Sequence, residues 1–247
     1  MHNIAEREEI LLSIKKDLVI MMGNSIVSAV VYGSSLSDDY CFLSDIDILV
    51  VLDVADSASL EILREIKRKY EKDGFDLDFN VHTVDELPDK RKKTFWHNNR
   101  ALYMQIELCL YGKQLVGPNL FSGKDVNVDD LRLEVVRVVS SLTYQARKML
   151  INSNLSTRKR ITMMKWCIYG VMYYLAFWEM YPKTRKEAMQ RFHQISAIKT
   201  DPNIFLEHKS EHPENIKISD LNIAYDFLSE LESLALKEYI KIYGANK

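Results

Sequence analysis

Residues 30–52 read VVYGSSLSDDYCFLSDIDILVVL. One apolar run ends at Tyr32 and meets Gly33-Ser34; ten residues further on, a second apolar run opens with Asp45-Ile46-Asp47. Both runs have the length and β-branched content of buried strands. Residues two apart in a strand share a face, so Asp45 and Asp47 point together while Ile46 and Ile48 point into a core. Carboxylates held side by side repel each other, and the spacing makes chemical sense when a cation is expected between them.

A third acidic strand follows. FDLDFNVHTV, residues 75–84, alternates apolar and polar, as a strand with one polar face does. Asp78 shares that face with Asp76, Asn80 and His82. If this strand pairs beside the Asp45–Leu52 strand, a third carboxylate meets the first two. Three converging carboxylates are hard oxygen ligands suited to Mg²⁺, which also accepts oxygens from a substrate phosphate. Two such ions about 4 Å apart can clamp an in-line displacement at phosphorus. Gly33 lets backbone N–H groups approach a phosphate closely, and Ser34 adds a hydroxyl donor. Taken singly, a pair of strand-end aspartates is more often solvated than catalytic; the ordered combination is much rarer.

The rest of the chain sets these motifs in an α/β unit. Ile10, Leu11, Ile14, Leu18 and Met21 recur at helical spacing over residues 4–21, and Leu60, Leu63, Ile66 and Tyr70 do so before Gly74. A further helix is expected over 101–110. The loop-like FSGKDVNVDD marks a boundary, placed between residues 122 and 123. Beyond it the pattern is helical throughout. Stripes on 131–149, 158–181 (ended by Pro182), a third segment from Thr184, and 221–235 predict a bundle of four helices.

Composition narrows the functional classes. With 247 residues and 47% apolar content, the chain can bury one large core or two modest ones. A net charge of −2 gives no basic field for nucleic acid, which is not expected as a partner. The run Lys90, Arg91, Lys92, Lys93 reads as solvated. Cys41, Cys109 and Cys167 form no CxxC and no zinc spacing, as in a reducing compartment. The N-terminus lacks a signal-peptide pattern, and Trp166–Trp178 is shorter than the roughly 20 residues that span a bilayer. A cytoplasmic protein without membrane contact is expected.

The motif VYGSSLSDDYCFLSDIDILVVL resembles the signature of the polymerase-beta-type nucleotidyltransferase superfamily. LDFNVHTVDEL, residues 77–87, is similar to the third-carboxylate strand of kanamycin nucleotidyltransferase and its relatives. The resemblance implies a small mixed-sheet nucleotidyltransferase domain over 1–122 and a helical, acceptor-binding domain over 123–247. It implies that ATP, or another nucleoside triphosphate, binds over Gly33 and Ser34. Asp45 and Asp47 would hold two Mg²⁺ ions, and Asp78 would complete the catalytic one. An acceptor hydroxyl would attack the α-phosphorus and release pyrophosphate. Asp76 is the rival for the third position, and the LDFN context favours Asp78.

Two further residues come from the resemblance. Lys148, in SSLTYQARKML, fits a triphosphate-contacting lysine of the antibiotic-modifying relatives. Those relatives often carry a carboxylate base one turn earlier, where this chain has Tyr144. Glu107, in MQIELCLYG, resembles an acidic position in streptomycin-type adenylyltransferases and is the candidate base. The implied acceptor is a small hydroxylated molecule such as an aminoglycoside or lincosamide antibiotic. The alternatives are a nucleotidyltransferase acting on protein or tRNA, as in toxin–antitoxin systems, and a non-catalytic nucleotide-binding module. Arg185 and His193 are too far apart for the Arg–His motif of the RNase partners in such systems. A homodimer is left open.

Overall fold

The computed structural model describes residues 4–36, 45–87, 101–121, 126–152, 155–210 and 215–244. The chain divides into two compact units, residues 1–125 and 126–247. The expected boundary between 122 and 123 falls outside the described residues.

In the first unit α1 (Ile4–Met22) precedes β1 (Ile26–Tyr32), a turn at Gly33–Leu36, β2 (Ile46–Leu52), α2 (Ser57–Lys72) and β3 (Leu77–Thr83). Then come α3 (Ala101–Tyr111) and β4 (Lys113–Val116). The sheet order is β3-β2-β1-β4. β2 and β3 are parallel, joined through α2, while β1 is antiparallel to both β2 and β4, so the sheet is mixed. β4 is an addition to the elements read from sequence. Four residues are too few to show a period, and the strand exists because β1 offers an edge to pair with.

Strand alternation builds two cores. Ile46, Ile48, Val50 and Leu52 face one way and pack with Leu11, Ile14 and Leu18 of α1 and Leu63, Ile66 and Tyr70 of α2. Leu49 and Val51 face the other way, with Val30 and Tyr32 of β1, Met104 and Leu108 of α3, and Phe121. Burial on both faces explains why β1 and β2 are nearly continuous apolar runs. α2 starts where the Asp56 side chain accepts the Ser59 N–H at 2.8 Å and ends in a turn closed by Phe75 N–H on the Tyr70 carbonyl at 2.9 Å.

The second unit contains α4 (Val128–Ile151), α5 (Thr157–Phe177), α6 (Arg185–Ile195), α7 (Asn203–Ser210) and α8 (Ile218–Tyr243). Leu131, Val135, Val138, Leu142 and Ala146 line the buried face of α4, as their spacing predicts. α5 and α8 approach closely at Gly170, where a Cβ would meet Leu231 Cδ2 at 2.8 Å. One boundary and one element differ from expectation. α5 stops at Phe177, short of Tyr181: the Phe177 carbonyl accepts from Arg132 Nε at 3.2 Å, and Glu179 turns left-handed at φ 58°. α7 makes a fifth described helix. Its Phe205 packs on Phe227 with ring centroids 4.9 Å apart, and the Asp201 carboxylate accepts from Asn203 N–H at 3.0 Å. No described helix is long and apolar enough to cross a membrane.

Candidate active site

Register brings the acidic residues together. Tyr32 of β1 stands opposite Asp47 of β2, and Asp47 stands beside Asp78 of β3. Asp45 immediately precedes β2, whose first amide, Ile46 N–H, donates to the Asp76 carbonyl at 2.8 Å. Asp45, Asp47 and Asp78 each offer an oxygen within 4.8 Å of the others, and among the described residues they are the group so arranged. Asp45 and Asp47 are half-buried and Asp78 is exposed as a residue.

The turn after β1 is shaped around this group. Gly33 has φ +73°, and a Cβ there would lie 2.7 Å from Asp47 Oδ2. Glycine is therefore demanded twice, by the backbone angle and by the carboxylate lying against it. The buried Ser35 hydroxyl donates to the Tyr32 carbonyl at 3.0 Å and tightens the turn. Ser34 sits in the same turn, with a side chain outside the described part of the molecule.

Electrostatics mark the site as short of positive charge. Loss of solvent around its carboxyl raises the pKa of Asp78 above the ordinary 3.8; the negative charge of Asp45 adds to this, Lys67 offsets part, and Asp76 raises it further. Lys67 Nζ reaches the Leu77 carbonyl and lies 3.4 Å from Asp76 Oδ1. Lys67 thus engages Asp76, while Asp78 joins the other two carboxylates. The donor set fits a divalent cation: three hard, anionic oxygens on rigid strands, whose mutual repulsion a cation would relieve.

The remaining sequence candidates are more scattered. Glu107 is half-buried on α3, the helix that packs against β1 and the Gly33–Leu36 turn and lends Met104 and Leu108 to the core on the Asp47 face. Lys148 belongs to the second unit, exposed near the end of α4, with Nζ 5.7 Å from the centre of the Tyr144 ring. His82 lies beyond Asn80 on β3, its Nδ1 3.8 Å from Glu86. Lys90–Lys93 lie outside the described residues. Lys67 and Ser35 were not singled out from sequence. A lysine on a helix carries no sign of the strand it will reach, whereas Ser35, adjoining Gly33, lies within a motif already under scrutiny.

Known proteins share the fold of this chain. The family model for the nucleotidyltransferase domain matches residues 9–103, which include most of α1, strands β1 to β3, the carboxylates and the Gly33 turn. Among solved structures, spectinomycin adenyltransferase AAD(9) from Enterococcus faecialis, determined with ATP and spectinomycin, aligns with a TM-score of 0.65 and 14% identity. The alignment covers 94% of this chain and 100% of that one, a likeness of fold across both units. No curated protein matches the sequence. Family model and fold point the same way: residues 9–103 match the nucleotidyltransferase domain, and the chain shares the fold of the solved adenyltransferase.

Proposed function

We propose that the protein transfers a nucleoside monophosphate, AMP from ATP, to a hydroxyl of a small acceptor of the antibiotic type, using Mg²⁺. The observation that carries this reading is the convergence of Asp45, Asp47 and Asp78 beside the Gly33 turn. The solved relative, held with ATP and spectinomycin, supports the choice of nucleotide and acceptor class.

Asp45, Asp47 and Asp78 are the metal-holding residues. Mg²⁺ bound there supplies charge neutralisation at the triphosphate and lowers the pKa of the attacking hydroxyl. Gly33 brings the turn's backbone N–H groups to the phosphates, and Ser34 adds its hydroxyl. Glu107 takes the proton as the acceptor oxygen bonds to the α-phosphorus. The bond from that phosphorus to the bridging oxygen breaks, and pyrophosphate leaves. By the family resemblance, Lys148 is the candidate triphosphate-contacting lysine and the helical residues 123–247 are the candidate acceptor-binding domain.

The test is incubation with Mg²⁺, α-labelled ATP, GTP, CTP or UTP, and a panel of aminoglycosides, spectinomycin, lincosamides, tRNA and cell lysate. Label from ATP on a small antibiotic, lost in Asp45→Asn, is the expected result. Label on tRNA or protein would replace the acceptor class. Tight nucleotide binding with no transfer to anything would overturn the enzymatic reading of this site.

A further inference from the structure

The sheet face that bears the carboxylates carries a second feature immediately behind them. Asn80 Nδ2 donates to the Tyr32 hydroxyl. Tyr32 belongs to β1 and Asn80 to β3, with β2 between them, so the bond spans two strand spacings, roughly 10 Å. Register fixes where it crosses. Tyr32 is level with Asp47 and Asn80 is level with Leu49, so the phenol lies diagonally over β2 between the Asp47 and Leu49 side chains. Tyr32 is buried, with 7% of its surface exposed, and belongs to the apolar cluster of Leu49, Val51, Met104, Leu108 and Phe121.

This position leaves Asp47 little freedom. Gly33 abuts its carboxylate from the turn, and Tyr32 is its register partner on β1. Asp78 is on β3, the edge strand of the sheet, which β2 holds on one side only. A polar tie from β1 to Asn80, two residues along the same face from Asp78, anchors that edge across the strand between.

We propose that the Tyr32–Asn80 hydrogen bond is a strap that positions Asp47 and Asp78 for divalent cation binding by fixing the edge strand, and Asp78 with it, against β2. The proposal rests on the metal-dependent reading of the site. Both residues act through the carboxylates and are positioning residues. Groups that orient metal ligands from behind typically change affinity by about 10- to 100-fold when removed.

The test uses the whole chain and Mn²⁺ as the probe, with free Mn²⁺ read by electron paramagnetic resonance and folding followed by circular dichroism melts. Tyr32→Phe keeps the ring and removes only the hydroxyl; Asn80→Leu removes the donor. Each single variant should weaken Mn²⁺ binding about tenfold, with the melting temperature of Tyr32→Phe close to wild type. The double variant should be no weaker than the weaker single, because both substitutions break the same bond. In the transfer assay, the Mg²⁺ concentration for half-maximal rate should rise in step. If one single variant fails to fold, the other carries the same prediction. Wild-type Mn²⁺ affinity in a folded single variant, or losses that add in the double, overturns the strap while leaving the metal site standing. Wild-type protein that binds Mn²⁺ no better than Asp45→Asn overturns the metal reading, and the strap with it.

Discussion

At the scale of single residues, Asp78 is where chemistry and stability oppose each other. Its pKa is raised first by loss of solvent and then by Asp45, so the folded protein favours the protonated form more than the unfolded chain does. A group raised in this way contributes stability that is fully present below its ordinary 3.8 and is lost as pH rises through its folded value. At neutral pH, metal-free protein therefore carries the cost of ionised Asp78. Asp78→Asn should raise the melting temperature of metal-free protein at pH 7.5, and the gap to wild type should narrow as pH falls. Nucleotidyl transfer by the same variant should drop by roughly 100-fold or more, beyond what loss of an outer partner brings. An unchanged or lower melting temperature at pH 7.5 would show that the repulsion is not felt. The same residue shows what sequence could say: Asp76 and Asp78 are equivalent by period. What separates them is Lys67, a helical residue that reaches Asp76 and the Leu77 carbonyl.

At the scale of elements, the seam between α1 and α2 holds the helical layer beneath the sheet. The Tyr70 hydroxyl donates to Asp17 Oδ2 at 2.7 Å and shares a hydrogen bond with Ser13 Oγ at 2.9 Å, while Lys69 Nζ reaches the same carboxylate at 2.6 Å. Burial alone would raise the pKa of Asp17, but the bonds from Lys69 and Tyr70 and the charges of Lys69 and Lys16 outweigh it and hold it below 3.8. Burial, with Asp17 adding to it, pushes the Tyr70 hydroxyl up to about 12. The contribution of a lowered carboxylate is present above its ordinary pKa and is lost as pH falls through the folded value. Tyr70→Phe should cost about 1–2 kcal/mol in urea denaturation at pH 7, with a smaller penalty once the medium is acid enough to protonate Asp17. An equal penalty at both pH values would disconnect the tyrosine from the carboxylate. Helices of this length are legible from apolar spacing alone. The short elements are not: β4 has four residues and no period. α7 was legible in principle, since Asp201-Pro202 has the form of a helix start.

At the scale of the whole molecule, two compact units share one chain, and the carboxylate group found among the described residues lies in the first. A ligand that binds the folded form raises stability by mass action, about 2.7 kcal/mol at 100 times its Kd. Mg²⁺ or Mn²⁺ should therefore raise the unfolding temperature of the first unit in calorimetry and leave that of the second in place, with no shift in Asp45→Asn. A shift confined to the second unit would place the cation elsewhere. The sequence by itself determined the strand-turn-strand motif, the face shared by Asp45 and Asp47 and the nucleotidyltransferase resemblance, because period and chemical type are local properties of a chain. Only the tertiary structure decided that Asp78 joins Asp45 and Asp47, that Gly33 is held against Asp47, and that Tyr32 reaches Asn80 across β2. Those are relations between strands, set by pairing direction and register, and a one-residue slip would have turned each side chain to the other face.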